Sequence, residues 1–318
     1  MINRSAILFL HRIGKRDDSR ISANQNMVVT PNELERLVSS SRKKGWSFIS
    51  LDELMDEYVR RHRFPSKTLS LTFDDGYLDN FSEAYPLLKN LNVPFCIYVT
   101  TGFIGQDVIP WWYLLEMALS SDFKCSIPEV KNLSLDSLKE KNDAFMAIRS
   151  KIMSNASCDS GIKAWLDHSA DYAKRMEGRL FMNWDDIDVL AGDKLVTLGA
   201  HTHTHPVLSK LDNSDSYTEV ELSKELLESR IRADVSHFAY PFGGAGDFSA
   251  RDIQYLMDMG FKTAVTTSYG PIPGAGQVNM FALPRVNVCY DFSLLKMKKV
   301  FMRQAIKNEI KRLLSYAD

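Results

Sequence analysis

The chain has 318 residues, enough for roughly two domains or one large α/β barrel with insertions. Apolar residues make up 45% and charged residues 25%, globular proportions that exclude a disordered or fibrous chain. Lys plus Arg is 39 against 40 for Asp plus Glu, a net charge of −1, so no global basic surplus exists to hold a nucleic-acid polymer.

The first apolar run, Ala6 to Leu10, is shorter than the roughly 7–15 residues of a secretory core, and no small-residue cleavage site follows. It reads as a first buried strand. No apolar run approaches the roughly 18 residues of a spanning helix. Cys96, Cys125, Cys158 and Cys289 are scattered without a CxxC, so neither a disulfide framework nor a thiolate zinc site is expected. Cytoplasmic residence, at the inner face of the membrane if the chain meets one, is the expectation.

Further elements alternate along the chain. Thr30-Pro31-Asn32-Glu33 opens a helix with a capping box and Pro at its first position, and that helix stops near Gly45. Trp46–Ile49 is a second strand, and Ser50-Leu51-Asp52-Glu53 is a second capping box. Lys67–Phe73 is a third strand, ending in Asp74-Asp75-Gly76, and a helix separates it from the strand Pro94–Thr100. Residues 102–178 break the rhythm and read as a helical insertion that carries Trp111, Trp112 and Trp165. Strands follow at Leu195–Leu198, His237–Tyr240 and Lys262–Val265, separated by helical patterns near Tyr217–Arg232 and Phe248–Met259.

This alternation predicts an α/β chain with a mainly parallel sheet and right-handed crossovers. Seven or eight strands suit a distorted (β/α)7–8 barrel in one domain spanning 1–318, with a doubly wound open sheet as the alternative. The tail over about 293–315 is helical and basic: seven Lys or Arg side chains face one acid, Glu309. It reads as a terminal helix packed on the barrel with a solvated basic face, or as a peripheral membrane contact.

Three segments carry chemistry. Asp74-Asp75-Gly76 places two carboxylates at the C-terminal end of a strand, the rim where α/β barrels build their sites. Asp-Asp-Gly is also an ordinary turn. Gly199-Ala200-His201-Thr202-His203-Thr204-His205-Pro206 concentrates three of the seven histidines. His201 and His205 would share one side of a helical turn, the spacing by which imidazole pairs grip a divalent metal. On an extended strand His201 and His203 would instead face the same way. Tyr240-Pro241-Phe242-Gly243 is a strand running into a turn that offers backbone N–H groups and aromatic walls.

In this order TFDDG, HTHTHP and YPFG resemble the polysaccharide deacetylase family, carbohydrate esterase family 4, whose homology domain is a distorted (β/α) barrel. The resemblance implies Asp74 as general base and Asp75, His201 and His205 as ligands of a divalent metal. Zinc comes first, with cobalt, nickel and manganese as alternatives. It implies Thr202 as a brace for the histidine loop, His203 as structural, and the backbone N–H of Phe242 as an oxyanion donor. The family's late Leu-x-His motif is missing, since no histidine lies beyond His237. Leu8-Phe9-Leu10-His11-Arg12-Ile13 resembles instead the N-terminal segment of the poly-N-acetylglucosamine deacetylase branch, which implies His11 as general acid. Ala239 occupies the region of the third motif that often carries a base-orienting Arg, and Arg285 in Leu283-Pro284-Arg285-Val286 is its replacement here.

The expected activity is metal-dependent removal of an acetyl group from a 2-acetamido sugar. The expected substrate is a lipid-linked or nucleotide-linked precursor or an oligosaccharide. The alternatives are an O-acetyl esterase on the same site, an inactive glycan-binding protein on the same barrel, and a glycosidase using the paired carboxylates. The last leaves the histidines idle.

Overall fold

The computed structural model describes residues 5–120, 135–154, 179–273, 278–289, 292 and 299. The basic tail apart from Lys299, with Trp165, Cys125 and Cys158, lies outside them. In chain order the strands are β1 (Ala6–Leu10), β2 (Arg12–Ile13), β3 (Val28–Val29), β4 (Ser47–Phe48), β5 (Thr68–Phe73), β6 (Phe95–Val99), β7 (Val196–Ala200), β8 (His237–Ala239), β9 (Thr263–Tyr269) and β10 (Leu283–Asn287).

The main sheet runs β1-β10-β9-β8-β7-β6-β5, and β1 also pairs with β5, closing a ring of seven parallel strands. Closure leaves no free strand edge in the ring, which an open doubly wound sheet would retain. β4 adds to the start of β5 through Ser47–Thr68 and Phe48–Leu69, while β2 and β3 form a separate pair. β1, β5 and β6 are buried along their whole length. Strands covered on both faces need continuous apolar runs, and that is the pattern seen in their sequences.

Both capping boxes form. Thr30 caps the helix Pro31–Lys43 with Glu33, and Ser50 caps Leu51–Arg61 with Glu53. Gly45 sits at φ +76°, a left-handed position that ends the first of these helices at little steric cost. The helices Asn213–Ile231 and Ala250–Asp258 lie close to the expected ranges. The expected strands appear with ends shifted, most of all β9, which runs on to Tyr269. β2 and β3 are too short to carry a periodic signal. The helix Trp184–Ala191 was not anticipated, although Asn183 and Asp186 form a capping box at its start. Within 102–178 the described residues form the helices Trp111–Ser120 and Leu138–Ser154. These bury Leu115, Phe145 and Ile148 with Ile21 in a small core of their own.

Because every strand of the ring runs the same way, the residues that follow each one gather on a single rim. His11 follows β1, Asp74 and Asp75 follow β5, His201 follows β7, and Tyr240 to Phe242 follow β8.

Candidate active site

A cavity of about 410 Å³ opens on that rim, lined among others by His11, Asp74, Asp75, His201, His205 and Phe242. Asp75 has φ +73° and Gly76 φ +83°, so the chain turns sharply as it leaves β5. Asp is among the residues that tolerate the left-handed region. The turn sends the two neighbouring carboxylates to different partners.

Asp75 faces the histidines. Its Oδ1 lies 3.4 Å from His201 Nε2 and 3.3 Å from His205 Nε2, and all three groups are buried. The Nδ1 of His201 lies 2.7 Å from the Ala239 carbonyl, a pure acceptor. Nδ1 therefore donates to it, which fixes the ring with Nε2 turned toward Asp75. Asp75 Oδ1 accepts no hydrogen bond among the described residues. A buried carboxylate oxygen without a hydrogen bond, facing two imidazole nitrogens, is a donor set that a cation completes. Among the described residues this is the one such group. Burial pushes the Asp75 carboxyl up, but the two imidazoles outweigh it and hold the group well below the usual carboxylate range. Burial pushes the His205 imidazole down, against the opposing pull of Asp75.

The pair does not sit on a helical turn. His201 to His205 is a loop in which Thr202 (φ +63°) and His205 (φ +62°) are left-handed. A β-branched residue there is strained, and the surroundings hold it. Thr202 Oγ1 accepts from the His205 N–H at 3.1 Å. Glu219 on the helix Asn213–Ile231 accepts from the N–H groups of His203 and Thr204 at 3.0 and 2.8 Å. The two rings end 4.8 Å apart. His203 turns away, its Nδ1 on Thr101 Oγ1 at 2.9 Å.

Asp74 faces Arg285 instead. The guanidinium donates from Nη1 and Nη2 to Oδ1 and Oδ2, each at 2.7 Å, and both side chains are buried. Arg285 also donates from Nε to the Thr266 carbonyl and lies 4.3 Å over the Phe9 ring. Burial pushes the Asp74 carboxyl up; the ion pair with Arg285 more than offsets this and holds it below its usual value. It is therefore ionised at neutral pH.

His11 lines the cavity beside both acids, its carbonyl accepting from Asn80 Nδ2 at 2.8 Å. Phe242 has φ +59°, its carbonyl accepts from Thr267 Oγ1 at 2.7 Å, and its N–H makes no bond among the described residues. Its ring stands edge-on to His205 at 4.8 Å. His237 is buried away from the rim, between Asp52 and Thr263. Trp112 lies 5.0 Å from the His205 ring and donates from Nε1 to Tyr77 Oη at 3.2 Å. Sequence reasoning missed Tyr77, Asn80 and Glu219, which act through other residues and carry no motif of their own.

A family model described as polysaccharide deacetylase matches residues 61–264, well over half of the chain. The chain belongs to the polysaccharide deacetylase family. The family match contains Asp74, Asp75, the histidine loop and Phe242, while His11, just after β1, and Arg285, on β10, lie outside it, at the strands that close the ring. Poly-beta-1,6-N-acetyl-D-glucosamine N-deacetylases of Staphylococcus aureus are 25% identical over 83 residues, 26% of this chain and 28% of theirs. The chain thus aligns with little over a quarter of the length of those relatives. Among solved structures, Streptococcus pyogenes deacetylase PplD in complex with acetate is similar over 92% of this chain and 97% of that one, at TM-score 0.56 and 20% identity. A de-N-acetylase from Aggregatibacter actinomycetemcomitans is similar over 94% and 100%, at TM-score 0.60 and 14% identity. These likenesses carry the fold.

Proposed function

We propose that this chain is a metal-dependent hydrolase that removes the acetyl group from a 2-acetamido sugar. The observation that carries the reading is the division of the two carboxylates. Asp75 completes a ligand set with His201 and His205, while Asp74, ionised and clamped by Arg285, faces the same cavity. Three protein ligands leave open positions for water and substrate, as a hydrolytic site requires, and zinc suits an N₂O set. A divalent ion held there would polarise the acetyl carbonyl and acidify a bound water.

The remaining work belongs to the chain. Asp74 accepts the proton of the attacking water, since the bidentate pair uses one lone pair on each oxygen and leaves the other. The free N–H of Phe242 stabilises the developing oxyanion. His11, on the β1 side of the cavity, donates a proton to the leaving nitrogen as the C–N bond breaks. The products are acetate and a free amino sugar. The aromatic wall of Trp111 and Trp112 gives a sugar ring a face to stack on. The S. aureus relatives are named for a poly-N-acetylglucosamine substrate, which favours the amide reading over an O-acetyl ester.

The test is acetate release from a panel of N- and O-acetylated sugars, before and after chelation. Release from acetamido sugars, lost with chelator and restored by zinc, supports the reading. No release from any of them, or release untouched by exhaustive chelation, overturns it.

A further inference from the structure

Arg149 stands on the helix Leu138–Ser154 and lines the same cavity as the catalytic carboxylates. It is half-buried, and it makes no ion pair or hydrogen bond among the described residues. Its own helix offers it nothing: positions three and four residues away are Met146, Phe145, Ile152 and Met153, with no carboxylate. The acids of the cavity are engaged elsewhere, Asp74 with Arg285 and Asp75 with the histidines. One turn before Arg149, Phe145 is buried, lines the cavity and lies against Trp111 at 6.5 Å. An arginine without a counter-charge thus stands at the edge of an aromatic wall suited to a sugar face. The helix that carries it is tied to the start of the helix Ser22–Gln25, where Asn142 Oδ1 accepts from the Ser22 N–H at 2.8 Å.

We infer that Arg149 binds an anionic group of the substrate, so that the acetamido sugar hydrolysed here carries a phosphate ester or a carboxylate close to the reacting residue. The inference rests on the deacetylase reading above and narrows it. A guanidinium presents a planar fork that matches either oxyanion bidentately, and in a half-enclosed site such a bond is charge-assisted. A neutral poly-N-acetylglucosamine would leave Arg149 without a partner. Both anions share this recognition chemistry, and the substrates used in the test separate them.

The experiment compares zinc-loaded wild type with Arg149→Gln and Arg149→Lys on three substrates. These are a neutral N-acetylglucosamine oligomer, N-acetylglucosamine 1-phosphate, and a disaccharide joining N-acetylglucosamine to a uronic acid. Calorimetric binding of each, and of the deacetylated products, is measured in parallel. Wild type should prefer one anionic substrate. Arg149→Gln should lose roughly 10–100-fold in kcat/KM and in affinity for it, and far less on the neutral oligomer. Arg149→Lys should recover part of the loss. Equal losses on neutral and anionic substrates, or wild-type indifference to charge, would overturn the inference while leaving the deacetylase reading intact. Absence of acetate release from all three, with no preferential binding of an anion, would overturn both.

Discussion

Arg285→Met removes one half of a fully buried ion pair. Arg285 is 0% exposed and Asp74 2% exposed, so on the Arg285 side of the carboxylate the packed interior supplies nothing to replace the two lost 2.7 Å bonds. Breaking a buried pair on one side costs about 3–5 kcal/mol. Against a total stability of about 5–15 kcal/mol this is a large share, and it lowers the melting temperature on the order of 10 °C. The double variant Arg285→Met/Asp74→Asn removes both charges and should regain most of the loss.

The pH dependence has a definite sign. In the wild type the Asp74 carboxyl is held below its usual value by Arg285 against burial. Its contribution is present above the unfolded value near about 3.9 and is lost as pH falls through the lower folded value. Without Arg285, burial is opposed only by the lesser pulls of His201 and His11 and the carboxyl moves up, so the variant loses stability as pH rises from the unfolded value through that raised one. The gap between the two proteins is therefore widest at neutral pH and narrows toward acid. Turnover falls too, because the carboxylate that accepts the water's proton loses the guanidinium that orients it. Urea unfolding of both proteins and the double variant from pH 4 to 8 measures all of this. A single-variant cost under about 1 kcal/mol at neutral pH, or a double variant no more stable than Arg285→Met, would refute the reasoning.

Asp74→Asn should keep metal affinity and lose turnover on the order of 10²–10⁴-fold, whereas Asp75→Asn should weaken metal binding first; zinc titration followed by acetate release separates the two. His11→Ala should reduce turnover on amides with metal affinity intact, and by less on acetyl esters, whose leaving alcohol depends less on protonation; equal losses on both would argue against the acid role. Gly102→Ala should displace the histidine loop, because a Cβ there would stand 2.6 Å from the His203 carbonyl oxygen. A cost of about 1–3 kcal/mol and weaker zinc affinity are expected, read by thermal melting and zinc titration.

The strands of the ring, the two capping boxes and the order of the three motifs were legible because each is a local signal: a continuous apolar run, a fixed spacing of side chains, a turn after a strand. Family resemblance in those motifs pointed to Asp74, Asp75, His201, His205, His11 and Phe242, and the parallel ring brings all six to one cavity. The helical-turn argument for the histidines named the pair that faces Asp75, but through the wrong backbone, since spacing alone does not reveal two left-handed residues in a loop held by Glu219.

What local pattern does not encode is which distant side chains meet. The family resemblance offered Arg285 as the arginine that orients Asp74, but the two stand 211 positions apart, and only closure of the ring brings them together. Their contact crosses β1, which lies between β10 and β5 because it pairs with both. Asn80 reaches the His11 carbonyl, and the helix carrying Phe145 and Arg149 reaches the cavity, by the same long-range packing. Burial and the charge partners that hold Asp74 ionised are likewise properties of the packed barrel, because a carboxylate's environment depends on groups that sequence order leaves far away.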